Sequence, residues 1–184
     1  MDNGASSYRR FLDGDENGFV EIVRDYKDGL ILYLDSLVRN ISAAEELAED
    51  TFVKLGIKKP RFKQKSSFRT WLYAIGRNVA IDYMRKQARL STVSVHECAE
   101  PAELESLENV YIREERKIII HRAMNKLKPE YRQVLWLRYF EGFSAKEAAL
   151  IMKKSTHNIE TLTYRAKLSL KSGLLGEGFD YENL

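Results

Sequence analysis

The stretch SAKEAALIMKKSTHNIETLTYRAKL, Ser144 to Leu168, decides the fold. Ser144 followed three residues later by Glu147 is a capping-box pattern: each side chain can satisfy the other residue's free backbone amide, and that opens a helix. The spacing predicts a short helix to Met152. Ser155 then caps a longer one that continues to about Lys171. Ala149 is small enough to let two helices cross closely. Ile159, Leu162, Ala166 and Leu170 return to one face of the second helix as packing positions. These spacings match a helix-turn-helix, with Lys153 at the turn position where glycine is common; a plain helical hairpin is the competing reading. In a helix-turn-helix the second helix enters the major groove of duplex DNA. Its exposed N-terminal side would offer Ser155, Thr156, His157, Asn158 and Thr161 to base edges, with Tyr164 and Arg165 further along. Lys153, Lys154 and Lys167 are placed to contact phosphates, and His157 reads as a surface polar contact.

Toward the N-terminus, Pro129 suits the first turn of a helix and Gly142 suits its stop. Residues 91–110 carry Pro101 and the acids Glu97, Glu100, Glu103, Glu105 and Glu108, the composition of a linker. Residues 8–90 read as helices again. Val20, Val23, Leu30 and Leu34 mark one; Leu47, Phe52, Val53 and Leu55 mark the next, opened by Ser42 with Glu45 three residues on. Ser66 or Ser67 caps a third, which runs to about Arg89. Strand-like alternation is scarce. The expectation is an all-α chain of two small helical domains, 8–90 and 111–175, joined by an acidic linker and followed by a Gly-rich, acidic tail, 176–184, expected to be mobile.

Net charge is only +3 over 184 residues, but the charge is unevenly placed. From Lys58 to Arg89 there are ten lysines and arginines against one acid, Asp82. Phe62, Phe68, Trp71, Tyr73 and Tyr83 are interleaved with them. On a helical wheel Phe68, Leu72, Ile75 and Val79 form an apolar stripe, and Arg77 points away from it, with Arg69 and Tyr73 nearby. Positive charge attracts phosphate by Coulomb interaction and counterion release. Aromatic faces can stack on unpaired bases, and an amide such as Asn78 can bond a base edge. The competing reading is a solvated basic face over an aromatic core, and Phe68 belongs to a core on either reading. Asp82, four residues on from Asn78, reads as a local structural pair.

Several classes are excluded. Cys98 is the single cysteine, so no internal disulfide forms, and with His96 it makes too small a cluster for zinc; no metal and no cofactor is expected. The N-terminus lacks the apolar core of a signal peptide and no window has the length to cross a bilayer, so a cytoplasmic location is expected. DGDENG (Asp13–Gly18) begins like a calcium loop, but its twelfth position is Arg24 where a bidentate glutamate is needed. Phosphate-binding, zinc-protease and nucleophile-elbow motifs are missing, so the chain does not read as an enzyme.

Both halves together resemble the extracytoplasmic-function group of sigma factors, in the sigma-70 family, over nearly the whole chain. AEELAEDTF (Ala44–Phe52) resembles the family segment that binds the clamp helices of RNA polymerase, with Glu49-Asp50 where the family often has Gln-Glu. FRTWLYAIGRNVAIDYMRK (Phe68–Lys86) resembles the segment that melts and reads the −10 element. LKPEYRQVLWLRYFEGFSAKEAA through YRAKLSLK resembles region four, which reads the −35 element; Glu160 and Leu162 stand where the family often has basic residues. The resemblance implies core RNA polymerase and promoter DNA as partners, and an anti-sigma factor. It implies polymerase contact through Glu46, Glu49, Asp50, Phe52 and Leu55. It implies −10 contact through Lys63, Arg69, Trp71, Arg77, Asn78, Arg85 and Lys86, with residues 58–67 forming a pocket for a flipped base. The linker would mimic nucleic acid in the polymerase channel. The alternative is a helix-turn-helix regulator that binds duplex DNA without joining polymerase. It leaves AEELAEDTF and the basic aromatic helix without a purpose.

Overall fold

The computed structural model describes residues 3–90 and 119–176, and every regular element among them is helical. The linker, Cys98 and His96, and residues 177–184 of the tail lie outside the described residues. The first half comprises α1 (Asn3–Leu12), α2 (Glu16–Val38), α3 (Ile41–Lys58) and α4 (Phe68–Leu90). The second comprises α5, described over residues 119–126, then α6 (Pro129–Leu135) running into a π-helical turn (Trp136–Phe140), α7 (Ala145–Met152) and α8 (Thr156–Gly176).

Local chemistry explains the boundaries. DGDENG is a helix junction: Asp15 caps α2 by accepting from the Asn17 amide at 3.0 Å. The close approach of α1 to α2 needs Gly18, where a Cβ would lie 2.3 Å from the Ser7 carbonyl oxygen. Helix α3 starts at Asn40, whose side chain accepts from the Ala43 amide at 3.0 Å, and not at Ser42. Asparagine is at least as good a cap as serine, and it comes first along the chain. Ser67 opens α4 as expected, accepting from the Thr70 amide at 3.2 Å. Pro129 sits in the first turn of α6.

The first-half core is built by Tyr8, Ile22, Leu30, Tyr33, Leu34, Leu55, Phe68 and Leu72, all essentially inaccessible. Tyr8 donates to the Pro60 carbonyl at 2.8 Å, and burial pushes its phenol up to about 12. Val20 and Val53, two of the apolar residues whose spacing marks α2 and α3, are 60% and 53% exposed. On α4 the inward set is Phe68, Leu72, Tyr73, Gly76 and Ala80, while Ile75 and Val79 are only half-buried. The stripe is thus turned toward Tyr73, because α4 has a neighbour on that side.

That neighbour is the second half. Helix α7 packs on α4 and α6 packs on α2, and the buried apolar residues of both halves form one cluster. The crossing of α6 and α2 is polar at its centre. Gln133 donates to the Tyr33 hydroxyl at 2.8 Å, and the buried Arg132 Nε donates to the Ser36 carbonyl. Burial pulls the Arg132 guanidinium below its usual range and raises the neighbouring Asp35 carboxyl.

Helix α7 opens with both halves of the capping box. Ser144 Oγ accepts from the Glu147 amide at 3.2 Å, and Glu147 Oε2 accepts from the Ser144 amide at 2.9 Å. Burial alone would raise the Glu147 carboxyl. The hydrogen bonds from Ser144 outweigh it, helped by Thr70 and the Arg69 charge, and leave the carboxyl below its ordinary value. A depressed carboxyl stabilises the fold above the unfolded-state value, and that contribution is lost as pH falls through the folded-state value. Thermal melts from pH 7 downward should therefore show Glu147→Gln less acid-sensitive than the parent. Ser144→Ala should cost about 1 kcal/mol in urea unfolding, the loss of one cap. Leu34→Ala should cost about 2–5 kcal/mol, because it empties a site with no solvent access.

Candidate nucleic-acid interface

The turn between α7 and α8 is held by backbone bonding and packing. Lys153 adopts the left-handed conformation (φ 54°) that glycine usually takes, and its amide bonds back to the Ala149 carbonyl. A side chain there costs about 1–2 kcal/mol, which the burial of Ala149, Ile151, Met152 and Ile159 offsets. Ser155 caps α8, accepting from the Asn158 amide at 3.1 Å. The helix runs past the expected Lys171 to Gly176.

On α8, Ile159 and Ala166 face inward with Leu162 half-buried beside them, so the place of Leu162 in the family pattern is used for packing. Ser155, Thr156, His157, Asn158, Glu160, Tyr164 and Arg165 are exposed, and Thr161 is half-buried. Lys153 is exposed as well. Lys154 is held by Glu130 at 3.0 Å, and the Lys167 ammonium lies 4.8 Å from the Tyr139 ring centroid. A polar, donor-rich N-terminal turn therefore stands clear of the protein on a rigid helix, the form in which a major groove is read.

The residues expected to meet the −10 element are not equally presented. Lys63 is exposed on the connection before α4, and Arg85 and Lys86 are exposed near the end of α4. Asp82 pairs with Arg85 at 3.6 Å, one turn on, and not with Asn78. Asn78 is half-buried. Trp71 is half-buried in an aromatic group, with ring centroids 5.0 Å from Phe62, 5.4 Å from Tyr8 and 5.6 Å from Phe68. Arg77 is half-buried, and its Nε is inaccessible and makes no hydrogen bond. It therefore does not stand out fully opposite the core: it is partly covered, and close enough to Tyr33 on α2 for its charge to act on that phenol.

Arg69 is engaged by the second half. Its Nη1 donates to the Glu141 carbonyl at 2.8 Å and its Nη2 meets the Glu141 carboxylate. The guanidinium lies over the Phe143 ring, 4.4 Å from its centroid. Tyr73 donates to the same carboxylate at 2.8 Å. Sequence reasoning misses Glu141. Its role depends on a tertiary contact and on a π-turn, neither of which leaves a mark in local spacing.

Helix α3 turns Glu46, Glu49 and Asp50 to solvent, as polymerase contact would require. Phe52 and Leu55 do not join them: they are 6% and 0% exposed, because they fall on the face that meets α2 and α4. The outward apolar positions are Val53 and Ile57, at 53% and 79% exposed, beside two shallow grooves along α3. The signal was present in the sequence, since Glu46, Glu49, Asp50, Val53 and Ile57 recur at helical spacing on one face.

Among the described residues no helix is long and apolar enough to cross a membrane. The chain matches the family model for Sigma-70 region 2 over residues 22–90 and that for Sigma-70, region 4, over residues 117–170. It is 30% identical over 156 residues to RNA polymerase sigma factor YlaC of Bacillus subtilis, covering 84% of this chain and 90% of that protein. It is 27% identical over 174 residues to the ECF RNA polymerase sigma factor SigW of the same organism, covering 88% and 91%. Among solved structures it is similar to the sigma factor RpoE of Bartonella quintana, determined in complex with the anti-sigma factor NepR. That likeness has a TM-score of 0.69 at 27% identity and covers 85% of this chain and 96% of the other. With both regions matched in order and relatives aligned along most of their length, the chain belongs to the extracytoplasmic-function group of the sigma-70 family of RNA polymerase sigma factors.

Proposed function

We propose that this chain acts in the cytoplasm as an alternative sigma factor: it joins core RNA polymerase and directs initiation at promoters it selects by their −10 and −35 elements. One observation carries the reading. A single chain holds a helix-turn-helix with a clear polar reading face and, ahead of it, a basic aromatic helix suited to open strands. A regulator of duplex DNA needs only the first.

In this reading residues 8–90 serve the polymerase and the −10 element, and residues 111–175 serve the −35 element. Helix α3 docks on the polymerase clamp through the charges of Glu46, Glu49 and Asp50 and the apolar side chains of Val53 and Ile57. Arg85 and Lys86 grip phosphates, Lys63 guides the displaced strand, and Asn78 orders it. The Phe62–Trp71 pair, with centroids 5.0 Å apart, forms one wall of a pocket for an extruded base. Flipping a base costs a few kcal/mol, which stacking on such rings can return. On α8, Ser155, Thr156, His157, Asn158 and Thr161 read base edges while Arg165 holds the backbone. The acidic linker occupies the nucleic-acid path of the polymerase. A negative regulator of the anti-sigma kind is a further partner; the similar Bartonella protein was determined in complex with one, NepR.

In vitro transcription with added core enzyme, with starts mapped across a genome, tests the reading. Starts should concentrate at a set of promoters sharing two spaced elements. Duplex binding without core association would instead identify a free-standing regulator, and starts no more selective than those of core alone would refute the proposal. Promoter affinity of the holoenzyme should fall with salt, and Arg85→Ala should lower the log–log slope by about one, the loss of one phosphate contact. Arg77→Ala should lower it less, since part of its guanidinium is inaccessible. An unchanged slope in both variants would remove these residues from the phosphate contacts.

A further inference from the structure

We propose that the seam between α4 and the π-turn is an intramolecular latch. In it the Glu141 carboxylate takes the place of a DNA phosphate on Arg69, so closing the two halves and gripping DNA through Arg69 exclude each other. The proposal rests on the reading of α4 as a DNA-facing helix.

The guanidinium fork accepts carboxylate and phosphate oxygens in the same geometry. Here Nη1 and Nη2 are both committed to Glu141, one to its carbonyl at 2.8 Å and one to its carboxylate. The faces of the guanidinium lie near the rings of Phe143 and Tyr73, at 4.4 and 5.2 Å from the centroids. Little of Arg69 is left for a strand: its side chain is 37% exposed, and that of Glu141 only 8%.

The carboxylate is held from several directions. Tyr73 donates to Oε2 at 2.8 Å and Trp136 Nε1 donates to Oε1 at 3.3 Å. Trp136 and Glu141 are five residues apart. In an α-helix they would face away from each other, and the π-turn from Trp136 to Phe140, closed by the Glu141 amide on the Trp136 carbonyl at 3.0 Å, brings them to one side. Across the seam, Gly29 on α2 leaves room for both partners: a Cβ there would lie 2.6 Å from the Tyr73 hydroxyl and 3.4 Å from Glu141 Oε2. Next to Arg69 in the chain, Thr70 donates to Glu147 at 3.2 Å, a second acid of the helix-turn-helix half set against α4.

A seam built only for cohesion would do as well with apolar side chains, because a buried ion pair brings little net stability over them. An ion pair has a property that an apolar contact lacks: a phosphate can replace the carboxylate without leaving Arg69 unpaired. DNA then draws the chain open by binding only the open form, and the closed fraction lowers the apparent affinity of the free protein.

The test uses the full chain with Cys98→Ser and spin labels at the exposed positions Ser42 and Ser172. The inter-label distance is read by electron spin resonance, and binding is read with a fluorescent single strand of mixed sequence, about two helical turns long, at low salt. The parent should give one narrow distance. Glu141→Gln and Gly29→Ala should each broaden it toward longer values and tighten the oligonucleotide at least about fivefold. Saturating oligonucleotide should broaden the parent in the same way. A folded Glu141→Gln that keeps the narrow distance, or opens without binding more tightly, overturns the latch. If neither variant folds, a parent whose distance stays narrow under saturating oligonucleotide overturns it equally. Arg69→Ala added to Glu141→Gln isolates the underlying reading. Loss of the gained affinity supports the exchange; full retention removes Arg69 from DNA and ends the competition. The inter-label distance reports closure and the transcription assay reports sigma activity, so the two can fail separately.

Discussion

Helix α4 has two neighbours to satisfy at once. One side buries Phe68, Leu72 and Ala80 against the first-half core, and the other turns Arg69, Thr70 and Tyr73 toward α7 and the π-turn. Few positions on its N-terminal half are left over, and that explains much else in the molecule. It fits the different behaviour of the basic residues of one helix: Arg85 and Lys86, near its C-terminal end, are exposed, while Arg69 is engaged by Glu141 and Arg77 is partly covered. It also explains a glycine in the middle of α2, a position where glycine otherwise weakens a helix.

The same constraint links stability to function. Beside the apolar cluster that the two halves share, a set of polar contacts closes them: Gln133 with Tyr33, Arg132 with the Ser36 carbonyl, Glu141 with Arg69 and Tyr73. Such contacts are specific in register but modest in net free energy, since each buried polar group gives up hydration to form them. A sigma factor has to present its two DNA-reading modules at a separation set by the promoter and the polymerase. Here a shared apolar core holds the two halves together and the polar contacts across it set their register.

Much of this is legible in the sequence because it is local. The Ser144–Glu147 box, the Ser155 cap, the packing set Ile159–Ala166 and the place of Pro129 all follow from rules acting within a few residues. The exposed polar face at the start of α8 is correspondingly clear. What the sequence misleads on depends on neighbours distant in the chain. Phe52 and Leu55 look available for a partner and are core, because the side of α3 that faces α2 and α4 cannot be fixed from α3 alone. Arg77 looks outward for the same reason. Val53 looks like core and stands exposed, with Ile57 one turn beyond it. The start of α3 moves to Asn40 because two good capping residues compete there. Glu141 and the π-turn leave no periodic trace at all.

Helix α4 is covered on both sides, by the first-half core and by the second half, so that the two halves form one body. Small-angle X-ray scattering from the purified full-length chain tests this most directly. A single maximum in the pair-distance distribution, with a radius of gyration near the about 16 Å expected for a compact chain of this length, is the predicted result. A distribution with two maxima, one within a module and one between modules, would show the halves apart in solution and contradict the account.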